Sequence, residues 1–117
     1  MRPAEGIQVY LCQGAVDMRK SINGLSTLVE GALGLSPFEP ALYVFRNRQR
    51  DKVKVLYWEG NGFVVWYKRY EKQRVYWPEP TAEGVTMVTG RELNWLLDGY
   101  DLSKLRPHRK LSYASVL

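Results

Sequence analysis

One stretch of the chain, residues 42–77, constrains the fold more than any other. It reads LYVFRNRQRDKVKVLYWEGNGFVVWYKRYEKQRVYW, and its runs of Val, Tyr, Trp and Phe are interrupted at RNRQRD, EGNG and EKQ. Runs of β-branched and aromatic residues separated by short turn-forming segments are typical of strands joined by tight turns. The stretch therefore predicts an antiparallel meander of four strands: Leu42 to Phe45, Lys52 to Trp58, Phe63 to Tyr70, and Arg74 to Trp77.

The turn between the second and third of these strands determines which side chains share a face. Asn61 and Gly62 both tolerate the positive φ that a two-residue type I′ turn requires. Such a turn places Trp58 opposite Val65, so that even positions of one strand lie beside odd positions of the next. One face of the meander is then apolar, and the other is basic and aromatic.

The two faces have different expected surroundings. The apolar face consists of Leu42, Val44, Val53, Val55, Tyr57, Val64, Trp66, Tyr70, Val75 and Trp77, with Lys68 as its exception. The opposite face consists of Lys52, Lys54, Leu56, Trp58, Phe63, Val65, Tyr67, Arg69, Arg74 and Tyr76. We expect the first face to form the core and the second to meet water and an anionic ligand.

Three further elements flank the meander. Residues 7–11 alternate as a short strand, which we expect at an edge of the meander. Asp17 is the predicted N-cap of a first helix that ends at Gly34 and covers the apolar face. Thr89 begins a second helix with a capping box, and Gly99 ends it. The predicted fold class is α+β, an antiparallel meander of about five strands with two helices packed on one face.

The chain has the size and composition of one ordinary domain. Its 117 residues are 45% hydrophobic and carry both signs of charge, which suffices to bury a core. We expect a single domain at residues 1–102 and a basic tail at residues 103–117. A single cysteine cannot form an internal disulfide, and no leader-like or long apolar segment is visible. A cytoplasmic location without membrane association is therefore expected.

Positive charge is concentrated in the meander. The net charge is +5, yet residues 46–74 contain nine Lys or Arg against three acids. Clustered basic charge is typical of a polyanion-binding surface. The predicted nucleic-acid-binding residues are Arg19, Lys20, Arg46, Arg48, Arg50, Lys52, Lys54, Trp58, Tyr67, Arg69, Arg74 and Tyr76.

Two of these cations have an unfavourable predicted position. Arg19 and Lys20 fall in the first turn of the first helix, where the positive end of the helix dipole disfavours them. Such an exception indicates a function or a partner carboxylate elsewhere in the fold. Two solvated side chains tolerated at small cost are the alternative.

Several segments together resemble a known family. They are Asp17-Met18-Arg19-Lys20, Gly24-Leu25, Val44 to Arg48 with Asp51, Lys54 to Trp58, Gly60-Asn61-Gly62, Tyr67-Lys68-Arg69 and Trp77-Pro78. In order and separation they are similar to the TnpB accessory proteins, the second open reading frame products of insertion-sequence-sixty-six transposable elements. Ser21, Glu59 and Gln73 depart from that pattern. The resemblance implies a role in transposition beside a separate catalytic transposase.

The residues do not favour an enzyme. The chain has one Cys and one His, far apart, which is too few for a zinc site. Five carboxylates are candidate Mg²⁺ ligands, but each has a simpler role at a cap or turn: Asp17, Asp51, Glu59, Asp98 and Asp101. We therefore expect no catalytic residue, metal or cofactor.

Two binding functions remain, with DNA and the transposase of the same element as expected partners. Cations interleaved with exposed rings suit phosphates and unpaired bases. The same composition suits a protein interface with no direct nucleic-acid contact. Surface cations that only maintain solubility and prevent edge pairing are the simplest alternative.

Overall fold

The computed structural model describes residues 1, 3–79 and 81–105. The elements are β1 (Gln8–Ala15), α1 (Ile22–Gly31), β2 (Ala41–Arg46), β3 (Lys52–Trp58), β4 (Phe63–Arg69), β5 (Val85–Val88) and α2 (Gly90–Leu97). A last helical turn spans residues 102–105. The strands form one sheet in the order β4-β3-β2-β1-β5, in which β1 is parallel to β2 and the other neighbours are antiparallel.

The α+β class is confirmed, together with three strands of the predicted meander, β2, β3 and β4. A purely antiparallel sheet is wrong, because α1 carries the chain from β1 back to β2 as a crossover, which produces a parallel pair. The strand predicted at 74–77 is also wrong. β4 is an edge strand, so the chain must leave it and cross to the opposite edge, where the unpredicted β5 lies.

The β3–β4 hairpin turns one residue earlier than predicted. Gly60 has a φ of 64° and is the turn position with positive φ, so the turn is centred on Gly60 and Asn61. Trp58 therefore pairs with Phe63 instead of Val65. The register moves by two residues, and because side chains alternate with a period of two, every side chain keeps its predicted face.

Helices cover both faces of the sheet, which corrects the prediction of two helices on one face. Leu93, Leu96 and Leu97 of α2 pack on the predicted apolar face. Leu25 and Val29 of α1 pack on the other face, against a cluster that contains Tyr43, Phe45 and Leu56. The first five residues of β2, ALYVF, are all buried, as expected for a central strand covered on both sides.

Lys68, the exception on the apolar face, contacts the end of α2. Its Nζ donates to the Leu97 carbonyl at 2.9 Å and lies 4.7 Å from the centre of the Tyr70 ring. The Tyr70 hydroxyl donates to the same carbonyl at 2.7 Å, and burial raises the pKa of Tyr70 to about 12. The last carbonyls of a helix carry partial negative charge, so the Lys68 ammonium is stabilised there.

The structure does not test the predicted division of the chain into a domain and a basic tail. The division into residues 1–102 and 103–117 stays a prediction, and residues 106–117 of the predicted basic tail lie outside the described residues. Within the described part of the chain, no helix has the length and apolar character needed to span a membrane.

Candidate nucleic-acid interface

Several basic segments meet at one end of the sheet. Because β1 and β2 are parallel, both finish at this end, where β3 begins and β4 finishes. The segments are residues 15–20, the β2–β3 loop at 47–51, and residues 70–79 after β4. We call this region the basic end. Its cations are Arg19, Lys20, Arg46, Arg48, Arg50, Lys52, Arg69, Lys72 and Arg74.

Asn47 determines the shape of the β2–β3 loop. Its buried Oδ1 accepts from the backbone N–H groups of Asp51 and Lys52 at 3.1 and 3.0 Å. Its Nδ2 donates to the Asp51 carboxylate at 2.6 Å, and this hydrogen bond is the main reason that the pKa of Asp51 is lowered. The loop is thereby held from inside, and its outward side chains start from a defined backbone.

Arg50 adopts a left-handed backbone conformation. Its φ of 59° is the one positive value of a non-glycine residue in the described part of the chain. Its carbonyl accepts from the N–H of Val75 at 2.9 Å, and its own N–H donates to the carbonyl of Asn47 at 3.2 Å. A non-glycine residue in this region is uncommon and costs about 1 kcal/mol. Such strain is concentrated at functional positions.

Three clefts surround the β2–β3 loop. The first, of about 610 Å³, is lined by Arg19, Arg48, Lys52 and Tyr67 with neighbouring residues. The second, of about 260 Å³, is lined by Gln13, Gly14, Arg46, Arg48, Arg50, Trp77, Pro78 and Glu79. The third, of about 630 Å³, includes Arg50, Lys72, Arg74 and Tyr76. Arg48 borders the first two clefts and Arg50 the last two, so the clefts form one continuous row.

Lys54 is a predicted binding residue whose ammonium has structural partners. Its Nζ donates to the carbonyls of Met18 and Lys20 at 2.7 and 2.8 Å. It also lies 5.2 Å from the centre of the Tyr67 ring. This ammonium attaches the segment before α1 to the sheet, which leaves it little freedom to meet a phosphate.

The segment before α1 differs from its prediction. Helix α1 begins at Ile22 with Ser21 as N-cap, so Asp17 is not the N-cap and Arg19 and Lys20 are outside the helix. The dipole conflict therefore does not arise. The Asp17 carboxylate accepts from the backbone N–H of Arg19 at 2.9 Å and pairs with its guanidinium at 2.6 Å.

The partner carboxylate of Arg19 is thus a near neighbour, not a distant one. These hydrogen bonds lower the pKa of Asp17 to about 2 and raise the pKa of Arg19. The Arg19 side chain nevertheless stays 92% exposed. Arg69 has a comparable exposed pair with Glu71 at 2.9 Å, which raises the pKa of Arg69.

Trp58 lies far from the basic end. It packs against Phe38 and Phe63 at the β3–β4 turn, with ring centres 5.1 and 4.9 Å apart. Six residues of strand separate it from Lys52, a distance of about 20 Å. The structure therefore does not bring Trp58 together with the predicted cations. Tyr67 and Tyr76, in contrast, line the first and third clefts.

Sequence reasoning missed two residues of the basic end. Lys72 lines the third cleft. It is one of the nine clustered cations of residues 46–74, and this position in the sequence could have identified it. Trp77 had been assigned to the core, yet it also lines the second cleft, with the Arg46 guanidinium 6.0 Å from its ring centre. Among the described residues, no group of three or more His, Cys, Asp or Glu is arranged to hold a metal.

Fold and surface together define a small α+β domain with helices on both faces of a mixed sheet and a cleft-lined basic end. The chain belongs to the family described as IS66 Orf2 like protein, whose model matches residues 7–107. The resemblance seen in the motifs is thus confirmed. This is an accessory-protein family and not a known enzyme family, so the chain is a transposition-associated accessory protein.

Two relatives come from Sinorhizobium fredii. Uncharacterized protein y4jC is 29% identical over 104 residues, which cover 89% of this chain and 88% of that protein. Uncharacterized protein y4hO is 31% identical over 97 residues, which cover 83% of this chain and 84% of that protein. No solved structure matches the chain.

Proposed function

We propose that the protein is a non-catalytic accessory factor for IS66 transposition that binds DNA through its basic end. One observation carries the proposal. Arg48, Arg50 and Arg74 line adjoining clefts, and within the described part of the chain none of them forms an ion pair. Cations whose role is structural usually have carboxylate or carbonyl partners, as Lys54 has. Unpaired guanidinium groups in a row suit a run of phosphates.

The exposed rings beside this row extend the proposal to unpaired DNA. The side chains of Tyr67 and Tyr76 are 49% and 53% exposed and lie in the first and third clefts. Base stacking on an aromatic ring contributes about 1–3 kcal/mol and does not depend on sequence. We therefore propose that the basic end tolerates many sequences and accepts single strands as well as duplex.

The absence of catalysis belongs to the same proposal. Asp17 and Asp51, the carboxylates of the basic end that were weighed as metal ligands, have hydrogen-bond partners that account for them. The predicted cytoplasmic location belongs to the proposal too, because an accessory factor for transposition has to meet the DNA of its element. DNA cleavage is then the task of the transposase.

The opposite end of the sheet favours a second function. Phe38 is 55% exposed and extends the ring cluster of Trp58 and Phe63 to the surface. Exposed aromatic clusters are typical of the anchors of protein interfaces. We propose that the transposase contacts this end, which would let one small protein bridge transposase and DNA.

Salt dependence tests DNA binding most directly. Four or five neutralised phosphates should give log K against log salt a slope of about −4 on duplex DNA. Tyr67→Ala should weaken single-strand binding by about 1–3 kcal/mol and leave duplex binding nearly unchanged. A slope near zero would favour a protein partner over DNA. A pull-down of transposase with and without end DNA would then test whether the transposase is that partner.

A further inference from the structure

The second cleft differs from the other two in size and in the convergence of its charges. In about 260 Å³ it gathers Arg46, Arg48 and Arg50, whereas the first and third clefts are more than twice as large. No ion pair joins any of the three to a carboxylate within the described residues. Like charges this close repel one another, so a bound anion would be stabilised in this cleft.

Arg46, which lines this cleft, has an unsatisfied donor. Its guanidinium lies over the ring of Trp77, and one Nη donates to the Asn47 carbonyl at 3.3 Å. Its Nε is buried, and the described residues provide no hydrogen-bond partner for it. The pKa of Arg46 is lowered, mainly by burial and to a smaller extent by the charge of Arg50. A buried donor without a partner is rare and unfavourable, and an anion bound beside the guanidinium groups would offset their repulsion.

The backbone that carries the other two arginines is held in place before any ligand arrives. The side chain of Asn47 fixes the loop that carries Arg48. Arg50 is held in its left-handed conformation by hydrogen bonds at both its N–H and its carbonyl. A strained, preorganised backbone under a charged side chain is expected where the charge has a target.

We propose that Arg46, Arg48 and Arg50 bind a single phosphate group in the second cleft. Planar guanidinium groups match phosphate oxygens with two parallel N–H bonds each, and three such groups can surround one phosphate. The phosphate is either the terminal monoester of a DNA strand or one diester within the strand. The inference rests on the proposed DNA binding and adds a defined point of contact to it.

Glu79 is the carboxylate that lines the same cleft. It is exposed and forms no ion pair with the arginines in the described part of the chain. Its charge nevertheless repels an incoming phosphate. Glu79→Gln should therefore strengthen phosphate binding, an effect that a merely general basic surface would not localise to this residue.

Inorganic phosphate is the first probe, measured on the full chain by the indole N–H resonances of its tryptophans. The resonance of Trp77 should shift saturably with phosphate and not with chloride at the same ionic strength. Arg50→Asn removes the charge while keeping a residue that tolerates positive φ. It should weaken phosphate binding by about tenfold, which corresponds to about 1.4 kcal/mol. Arg91→Gln, an equal charge change at an exposed position of α2, should have no effect.

Oligonucleotides with and without a 5′-phosphate distinguish the two sources of the phosphate. A preference for the phosphorylated strand that disappears in Arg50→Asn assigns the cleft to strand ends. Equal affinity, with phosphate competing through the Trp77 signal, assigns it to internal diesters. Both results support a phosphate site.

A Trp77 resonance that responds alike to phosphate and chloride, or a phosphate response unchanged in Arg50→Asn, overturns the inference. General DNA binding with a steep salt slope would still stand in that case. If the wild-type protein bound phosphate but no DNA, the proposed function would be wrong and the anion site would still stand.

Discussion

The two ends of β3 have opposite chemistry. At its start, the basic end carries unpaired guanidinium groups on a loop held by the buried side chain of Asn47. At its finish, which we call the aromatic end, Trp58 packs edge to face against Phe38 and Phe63, with Glu59 in the adjoining turn. Hydrogen bonds thus organise one end of the sheet, and ring packing organises the other.

This difference teaches how the alternating pattern of the strands should be interpreted. Lys and aromatic residues alternate with apolar ones along β3 and β4, which indicates one face of mixed cations and rings. In the structure α1 covers part of that face, and Leu56 becomes fully buried. The exposed cations and the ring cluster are then separated along the strands. The exposed cations and the ring cluster can therefore be changed independently of each other.

The largest expected effect comes from Asn47, which carries no charge. Asn47→Ala should destabilise the protein by about 3 kcal/mol, because two backbone N–H groups and the Asp51 carboxylate lose partners at a buried position. DNA affinity should fall as well, since the loop that positions Arg48 and Arg50 loses its shape. Chemical denaturation and DNA titration under folded conditions measure the two effects.

Gln49→Ala is the matched control in the same loop. Gln49 is exposed, and its amide oxygen accepts only the longer contact of 3.3 Å from Asn47. It should change stability by less than about 0.5 kcal/mol. If Asn47→Ala were equally mild, the loop would not depend on this network, and the two ends would differ in composition alone.

At the aromatic end, in contrast, a loss of stability should leave DNA binding unchanged. Trp58→Ala should cost about 2 kcal/mol, less than the loss for a fully buried ring because Trp58 is half-buried. The affinity of the folded protein for DNA should not change, because the ring lies about 20 Å from the basic end. A variant that folds normally but binds DNA weakly would restore Trp58 as a binding residue, as its sequence pattern predicts.

The fold was largely predictable where a short stretch of sequence determines its own secondary structure. The runs of β2, β3 and β4 and the capping box at Thr89 appear as expected. The parallel pairing of β1 was not predictable in this way, because it depends on a crossover rather than on the strand itself. The fully apolar run from Ala41 to Phe45 did contain a signal, since a strand covered on one face alternates instead.

The candidate site was predictable in composition and less so in geometry. Clustered cations correctly indicated where the basic residues are concentrated, around the β2–β3 loop. Which of them have partners could not be derived, because Lys54 bonds to carbonyls 34 and 36 residues away in the chain. Arg19 and Asp17 form their pair only because the helix starts later than its apparent cap. The partners of these cations are determined by tertiary contacts, which a short stretch of sequence does not reveal.

A smaller effect on stability, but a specific one on binding, is expected for the arginines of the loop. The double change Arg48→Ala and Arg50→Ala should flatten the salt slope by about two units and weaken binding to all duplex sequences alike. Stability should hardly change, since both side chains are exposed and replacing them removes no ion pair. A full salt slope in the double variant would mean that DNA contacts lie elsewhere on the molecule.

The smallest effect is expected at Asp17, where the pH dependence has a definite sign. The folded-state pKa of Asp17 is about 2, below its ordinary 3.8, mainly because its carboxylate accepts from the Arg19 side chain. A lowered pKa stabilises the fold above about pH 4, and the contribution is lost as the pH falls through 2. Asp17→Asn should therefore be slightly less stable than the wild type at pH 6, and the difference should shrink as the pH falls through 2. Because the change releases the Arg19 guanidinium into the first cleft, it should also steepen the salt slope for duplex DNA by about 0.9. In an Arg19→Ala background the effect on the salt slope should vanish, and the stability difference should shrink to the part that the backbone N–H of Arg19 supplies. A salt-slope effect that persists there would show that Asp17 acts through a different partner.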